Sequence, residues 1–298
     1  MSYEHIIKNI VFQSEGTNCA AWLYVPDTPT PPPVIVMAHG LGGVREMRLD
    51  AYAEHFVREG YACFLFDYRH FGASEGNHRQ KINVKLQLQD WESAIDWVKK
   101  SEWVDGKRII LLGSSFSGGH VMTMSARHPE VSAAIAQCPF TDGKASRNTV
   151  PITSLLKLSG LVVLDLLSCL TGYHPVKVKL AGKPGEAALM AVPDYQEYLA
   201  LVPEKASFHP KVPARTILEF FKYSPGKYAA EIQCPIYFGV CNLDTVAPAK
   251  ETLKHAALAP KGILKHYPCG HFDIYRGKHF EVAIQDYIAF LKQEVPVH

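Results

Sequence analysis

The chain has 298 residues, of which 47% are hydrophobic and 20% are charged, a balance typical of a globular protein with a sizeable buried core. Its formal net charge of +2 at pH 7 gives no reason to expect binding to nucleic acid or to a membrane surface. Because no secretory signal is visible and the seven cysteines form no C-x-x-C pair, we expect reduced thiols in a cytoplasmic protein.

Strand-like and helix-like runs alternate along most of the chain. The predicted strands are residues 6–13, 19–25, 34–38, 61–66, 108–112, 131–138, 235–241 and 263–267, and the first two read as a hairpin. Helices are predicted to end near residue 56 and to span 83–100, 116–127 and 280–291. Because strands that alternate with helices form parallel sheets covered on both faces, we predict an α/β fold with a mostly parallel sheet.

Residues 140–228 break this alternation, because prolines and glycines interrupt every run. A structureless loop of this length is improbable inside a compact domain. We therefore predict a lid of short helices at 140–228, inserted into a core domain of residues 1–139 and 229–298. The helical candidates are 152–170, 194–201 and 214–223. Eleven Lys and Arg residues against seven Asp and Glu residues give the lid a net charge of +4.

The first predicted lid helix is unusually apolar. Its side chains Leu161 and Leu164 are candidates for lining an acyl pocket, although packing within the lid explains them equally well. The stretch from residue 155 to residue 170 also contains Lys157 and Asp165. It is shorter than the roughly 20 residues of a membrane-spanning helix, so we expect no membrane span.

A serine in the middle of the chain follows a buried strand and precedes a helix, the position of a nucleophile elbow. The residues two before and two after it must be small because the helix passes close to the strand. Here they are Gly113 and Ser117, so the pattern is G-x-S-x-S-G and not the commoner G-x-S-x-G. Ser115 is the candidate nucleophile. The alternative is a phosphate-binding loop, but the lysine of a Walker loop is absent.

A serine hydroxyl needs a base to take its proton and a third group to orient that base. Asp244 and His271 each follow a predicted strand, where loops leave the carboxyl edge of a parallel sheet. Together with Ser115 they occur in the chain order serine, acid, histidine that such a fold requires. Asp142 is an alternative acid, whereas Asp273 is expected to fix the loop around the histidine.

Two backbone N–H groups are candidates for an oxyanion hole. The N–H of Phe116 lies at the start of the elbow helix, and that of Leu41 lies in the sequence HGLGG, in which Gly40 allows close approach to a substrate. No H-E-x-x-H, paired C-x-x-C or G-x-G-x-x-G motif is present, so no metal or nucleotide site is predicted.

The chain resembles the α/β-hydrolase superfamily in five features: His39-Gly40, the segment 67–74, the elbow, Asp244 and His271. In detail it is similar to the branch of dienelactone-hydrolase-like and X-prolyl-peptidase-like serine hydrolases, which also contains acyl and polyketide transferases. The resemblance implies an eight-stranded sheet, a lid inserted after the sixth strand and no cofactor. His70 replaces the first glycine of the family pattern D-x-R-G-x-G-x-S, so we expect it to alter the shape of the pocket.

These observations predict a serine hydrolase that cleaves a carboxylic ester or thioester through an acyl-enzyme. Transfer of the acyl group to an alcohol or amine uses the same residues and remains an alternative. The positive lid leaves an acyl carrier protein or a coenzyme A thioester open as the acyl donor. An X-Pro peptidase is less expected because the chain is too short for the extra domains of such enzymes. A non-catalytic binding protein is less expected because it would gain nothing from an activated serine.

Overall fold

Eleven strands and nine α-helices form the part of the chain that the computed structural model describes, residues 2–172 and 174–298. In chain order the strands are β1 (His5–Ser14), β2 (Thr17–Pro26), β3 (Pro33–Ala38), β4 (Ala62–Phe66), β5 (Asp105–Ser114), β6 (Ala133–Gln137), β7 (Lys177–Gly182), β8 (Ala188–Ala191), β9 (Lys211–Pro213), β10 (Ile236–Cys241) and β11 (Gly262–Tyr267). The helices are α1 (Leu49–Arg58), α2 (Val84–Lys100), α3 (Phe116–Arg127), α4 (Gly143–Arg147), α5 (Ile152–Thr171), α6 (Tyr195–Leu199), α7 (Thr216–Lys222), α8 (Ala249–Ala256) and α9 (Gly277–Glu294).

Eight strands form the central sheet in the order β1-β2-β4-β3-β5-β6-β10-β11. The first two strands pair in antiparallel fashion, as do β2 and β4, and every later pair is parallel. Strands β3, β4 and β6 are buried along their whole length, as expected when helices cover both faces of a parallel sheet. The predicted α/β-hydrolase fold with a mostly parallel, eight-stranded sheet is therefore confirmed. All seven cysteines are free thiols, and six of them are buried.

Two pairs of helices cover the sheet. Helix α1 contacts α9, and α2 contacts α3. Helix α2 begins just after Asn83, whose side chain accepts a hydrogen bond from the N–H of Leu86 at 3.0 Å and so satisfies a free donor of the first turn. Helix α8, between β10 and β11, was not predicted from the sequence. Its position supplies the crossover that two adjacent parallel strands require.

The segment between β6 and β10, here called the insertion (residues 140–228), follows the sixth strand of the sheet. It contains α4 to α7 and also a second, three-stranded sheet in the order β8-β7-β9. The expectation of helices alone was therefore wrong, because strands of three to six residues leave too short a pattern to detect. That the insertion acts as a lid stays a prediction.

Helix α5 spans 20 residues, so the sequence argument that the apolar stretch is too short to cross a membrane was wrong. Among the described residues it is the one helix with the length and apolar composition of a membrane span. One side packs into the protein through Leu158, Val162 and the buried Asp165. The carboxylate of Asp165 accepts hydrogen bonds from the N–H groups of Val176 and Arg215, both at 2.9 Å. This buried anchor fixes which side of α5 faces the protein.

Candidate active site

Ser115 lies in the sharp turn between β5 and α3. Its backbone has φ 56° and ψ −117°, a conformation that L-residues rarely adopt and that costs roughly 1–3 kcal/mol. The turn is closed by close packing, since a Cβ atom at Gly113 would collide with the carbonyl of Ser117. The glycine of the elbow pattern is therefore required by space, and the turn directs the serine hydroxyl into a cavity above the sheet.

The structure brings three distant side chains together at the carboxyl edge of the sheet. The ring of His271 lies between the other two, with Nε2 at 2.8 Å from Ser115 Oγ and Nδ1 at 2.6 Å from Asp244 Oδ2. The other carboxylate oxygen of Asp244 accepts hydrogen bonds from the N–H groups of Val246 and Ala247 at 2.8 and 2.6 Å. These distances fit a serine O–H that donates to Nε2 and an Nδ1–H that donates to the carboxylate.

Burial and charge act in opposite directions on His271, whose ring is almost completely buried. Burial alone would lower its pKa, but the adjacent Asp244 carboxylate, by charge and hydrogen bond, holds the pKa well above its usual range. The buried ring is thus arranged to accept a proton and to be stabilised as an imidazolium. By contrast, burial lowers the pKa of His39 to about 4 although Asp67 Oδ1 lies 4.0 Å from its Nε2, so His39 stays neutral.

The loop after β3 approaches the elbow closely. A Cβ atom at Gly40 would lie 3.0 Å from Ser115 Cβ, so a larger residue at this position would push against the elbow. The hydroxyl of Ser117 donates to the carbonyl of His39 at 2.5 Å and also contacts the hydroxyl of Tyr68. The residue that departs from the commoner elbow pattern therefore ties the elbow helix to the loop that carries Leu41.

The N–H of Phe116 is free for a ligand, since it belongs to the first turn of α3 and has no acceptor within the helix. Leu41 lines the same cavity as Ser115, and its carbonyl accepts a hydrogen bond from the hydroxyl of Tyr198 at 3.0 Å. Leu41 and Phe116 thus both lie near the serine, and that their N–H groups form an oxyanion hole stays a prediction. Among the described residues, no group of three or more His, Cys, Asp or Glu side chains is arranged to hold a metal ion.

The cavity above Ser115 has a volume of only about 30 Å³ and is lined mainly by apolar side chains. The core contributes Met47, Leu49, Phe272 and Tyr275, and the insertion contributes Met190, Tyr198 and Leu201. This space holds no more than a few water-sized molecules. A larger substrate requires the side chains from the insertion to move.

Sequence comparisons agree with this geometry. A family model described as serine aminopeptidase, S33, matches residues 29–272. The quorum-quenching protein AidA of Acinetobacter baumannii (strain MDR-ZJ06) is 47% identical over 290 residues, which cover 97% of this chain and 95% of AidA. The chain belongs to the serine aminopeptidase S33 family of α/β hydrolases. The expected superfamily is thereby confirmed, whereas the narrower dienelactone-hydrolase-like and X-prolyl-peptidase-like branch stays a prediction.

Two fungal proteins are more distant relatives of this S33-family hydrolase. The thiohydrolase aneE of Aspergillus aculeatus is 24% identical over 273 residues, which cover 87% of this chain and 85% of aneE. The polyketide transferase grgF of Penicillium sp is 28% identical over 172 residues, which cover 57% of this chain and 56% of grgF. The solved structure of GrgF has a TM-score of 0.82 at 22% identity, covering 97% of this chain and 99% of that one, which shows a shared fold.

Three residues expected to bind substrate lie outside the cavity of the hydrolase. The side chain of Leu164 is exposed on the outer side of α5, and Leu161 packs against the core on the inner side. His70 adopts φ 74° in a turn that does not line the cavity, where its N–H donates to the carbonyl of Glu75 at 2.7 Å. Burial lowers the pKa of His70 to about 4. None of the three lines the cavity, because the sequence does not show which side of a helix or turn faces the site, and their role in substrate binding stays a prediction.

The alternative acid and the loop aspartate are also accounted for. Asp142 accepts hydrogen bonds from the N–H groups of Lys144 and Ala145 at the start of α4 and so is used in capping that helix. Asp273 accepts the N–H of Gly270 at 2.8 Å and fixes the loop before His271.

Sequence reasoning missed the cavity residues that come from the insertion. Tyr198 fell within a predicted helix, but nothing in the sequence indicated that its hydroxyl reaches the Leu41 loop. Two further contacts hold this helix near the site: Thr245 Oγ1 donates to Asp194 at 2.7 Å, and Arg276 pairs with Glu197. The available signal in the sequence was that Asp194, Glu197 and Tyr198 lie within five positions of one another.

Proposed function

We propose that this protein is a serine hydrolase that cleaves a carboxylic ester or thioester through an acyl-enzyme. The observation that carries the proposal is the buried His271 ring, which joins Ser115 to Asp244 through hydrogen bonds of 2.8 and 2.6 Å. A base oriented by a carboxylate and placed on a serine hydroxyl serves to activate that hydroxyl as a nucleophile.

In the first half-reaction, Ser115 Oγ bonds to the acyl carbon while His271 Nε2 takes the hydroxyl proton. The carbonyl oxygen becomes an oxyanion, which the N–H groups of Leu41 and Phe116 stabilise. When the carbonyl reforms, the bond to the alcohol or thiol breaks, and the imidazolium returns the proton to that leaving group. Asp244 keeps the proton on Nδ1 and stabilises the imidazolium throughout.

In the second half-reaction, a water molecule replaces the leaving group. His271 Nε2 takes a proton from the water as its oxygen bonds to the acyl carbon. The acyl–Ser115 bond then breaks, the serine recovers its proton, and a carboxylic acid is released. No additional reactant is needed, so the protein's own side chains supply every proton transfer.

Acyl transfer is the second candidate function, in which an alcohol or amine takes the place of water. It is favoured by the relationship to the polyketide transferase grgF, while the thiohydrolase aneE favours hydrolysis of a thioester. The mainly apolar lining of the cavity suits an acyl group in either case, once the insertion has moved to enlarge the cavity. The net charge of +4 on residues 140–228 would complement an acidic acyl carrier protein or a coenzyme A thioester as donor.

The insertion is proposed to act as a lid. Supporting this role, Met190, Tyr198 and Leu201 close a cavity that is too small for an acyl group. Opening requires that the insertion releases the contacts of Tyr198 with Leu41 and of Glu197 with Arg276. Exclusion of water after closure would strengthen the electrostatic interactions around the oxyanion.

The function is tested with a fluorophosphonate probe and with p-nitrophenyl esters and acyl thioesters. We expect Ser115→Ala to abolish labelling and to lower turnover at least about 10³-fold, since the nucleophile is removed. Ser159→Ala, which changes an exposed serine outside the site, is the matched control and should label normally. Unchanged labelling of Ser115→Ala would remove this serine from the mechanism.

Addition of alcohols or amines to the thioester assay separates the two candidates. Formation of an ester or amide in preference to free acid would identify the protein as a transferase. Release of free acid alone would identify it as a hydrolase.

A role in quorum quenching is a further part of the proposal, supported by 47% identity to AidA over almost the whole chain. We expect the purified protein to weaken the response of a quorum-sensing reporter strain, and the Ser115→Ala variant to leave the response unchanged. An equal effect of both proteins would separate quorum quenching from the chemistry at Ser115.

A further inference from the structure

Helix α5 has a second apolar side that faces solvent. Five large aliphatic side chains on it are between 54% and 84% exposed. Together with Gly160 they form the surface that we call the α5 outer face: Ile152, Leu156, Gly160, Val163, Leu167 and Leu170. Soluble monomers rarely leave a contiguous apolar patch of this size exposed, so the patch calls for a partner.

The spacing along the outer face is that of a helix–helix contact. Leu156, Val163 and Leu170 recur every seven residues, and Gly160 and Leu167 follow the first two of them by four. At 100° per residue, all five aliphatic side chains fall within a sector of about 60°. A 3-4 repeat of apolar residues along one seam is what a second helix recognises in close packing.

Helix α5 cannot rotate to bury its outer face within the same chain. Its opposite side is anchored by the buried Asp165, which accepts hydrogen bonds from the backbone of Val176 and Arg215 and lies 3.5 Å from the Arg215 guanidinium. Turning the outer face inward would carry this carboxylate out to solvent and leave the N–H groups of Val176 and Arg215 without their acceptor. The outer face is therefore fixed towards solvent in a single chain.

The exposed area matches what a stable dimer needs. A standard interface buries about 800 Å² per partner, and the aliphatic side chains of the outer face with the flanking Leu164 and Leu166 present on the order of 800 Å². The core of such an interface is depleted in charge. Helix α5 carries only two charged residues, and of these Asp165 is buried and Lys157 is bonded to the carbonyl of Gly185.

We propose that the α5 outer face is the interface of a homodimer, in which α5 packs against α5 of a second copy about a two-fold axis. Gly160 near the middle of the seam has nothing within 4 Å of a Cβ position, which leaves room for the backbone of a second helix to approach. A lipid surface would not require such a gap. The helix also has no aromatic residue and only one cationic residue, Lys157, whereas interfacial helices are held at a bilayer by several residues of both kinds.

The interface lies next to the active site. Helix α5 contacts β8, the strand that carries the cavity residue Met190. In the dimer, two copies of α5 would brace the two insertions against each other. Dimerisation would therefore stabilise the wall of each cavity, independently of which acyl substrate the site accepts.

The proposal is tested by sedimentation equilibrium of the full chain at micromolar concentrations. We expect twice the chain mass of 33.2 kDa for the wild-type protein. Leu167→Glu, which would place a carboxylate in the interface of each copy, should raise the dissociation constant at least about 100-fold. The control is Leu258→Glu, since Leu258 is also 54% exposed but lies outside the outer face, and this variant should remain a dimer.

A wild-type protein that sediments as a monomer, or a Leu258→Glu variant as monomeric as Leu167→Glu, would overturn the proposal. Circular dichroism and fluorophosphonate labelling verify that the variants are folded. Should Leu167→Glu fail to fold, Leu170→Gln at the exposed end of the helix replaces it, and the same loss of dimer is expected.

Gly160→Leu distinguishes a second copy from a lipid surface. A larger side chain should weaken the dimer at least about 10-fold, since it fills the space that the second helix needs. The same substitution adds apolar area and should strengthen binding to vesicles of phosphatidylcholine and phosphatidylglycerol if lipid covers the face. An unchanged dimer together with stronger vesicle binding would overturn the proposal and assign the face to a membrane surface.

Discussion

The carboxyl edge of the sheet and the insertion above it position their side chains in different ways. At the sheet edge, Ser115, Asp244 and His271 each follow a parallel strand, and local backbone hydrogen bonds hold the loops. In the insertion, position depends on a few long-range contacts, such as Asp165 with Arg215 and Tyr198 with Leu41. Substitutions at the edge should therefore change the chemical step, and substitutions in the insertion should change stability and the shape of the cavity.

The largest expected effect is at the sheet edge, in Asp244→Asn. The amide oxygen can still accept the N–H groups of Val246 and Ala247, so we expect the fold to persist. The variant cannot stabilise the His271 imidazolium, and kcat should fall by roughly 10³–10⁴-fold. Thermal unfolding within a few degrees of the wild-type midpoint, measured beside the ester assay, would show that the loss is chemical.

The pH profile of the same variant is an independent check. His271 must be neutral to act as a base, and Asp244 raises its pKa, so the wild-type kcat/KM should fall with decreasing pH from a midpoint above the usual histidine value. Asp244→Asn should move this acidic limb to lower pH. An acidic limb that does not move would contradict the assignment of Asp244 as the partner of His271.

In the insertion, Asp165→Leu should affect stability and not the chemical step. The substitution leaves the N–H groups of Val176 and Arg215 without their acceptor, and we expect the free energy of unfolding to fall by about 2–4 kcal/mol. Urea unfolding measures the loss. If the folded variant also lost its fluorophosphonate reactivity to the extent that Asp244→Asn does, the insertion would be as important for chemistry as the sheet edge.

Ser117→Gly should give a smaller effect, within the sheet edge itself. It restores the commoner elbow pattern but removes the hydroxyl that donates to the carbonyl of His39. One hydrogen bond is worth about 1 kcal/mol, so we expect kcat to fall by up to about tenfold with little change in KM. Ser125→Gly, a serine-to-glycine change on the same buried helix, is the control for the loss of helix stability.

The sequence pattern was informative where position follows from the strand ends. The elbow, Asp244 and His271 could be located because each comes within four residues of the end of a predicted strand. In α5, by contrast, both sides are apolar, so periodicity could not show that Leu164 faces solvent and Leu161 the core. Strands β7 to β9 are too short for a pattern, and the orientation of His70 depends on a turn whose geometry is set by residues beyond it.

The strained backbone of Ser115 bears on which residue would be favoured at this position if the reaction were no longer selected for. A glycine adopts φ 56° without strain, so Ser115→Gly should recover part of the roughly 1–3 kcal/mol held in the elbow and raise the melting temperature. Heat resistance and chemistry thus make opposite demands on one position. Under the proposed mechanism, a descendant that no longer needed the reaction would gain stability by replacing Ser115 with glycine.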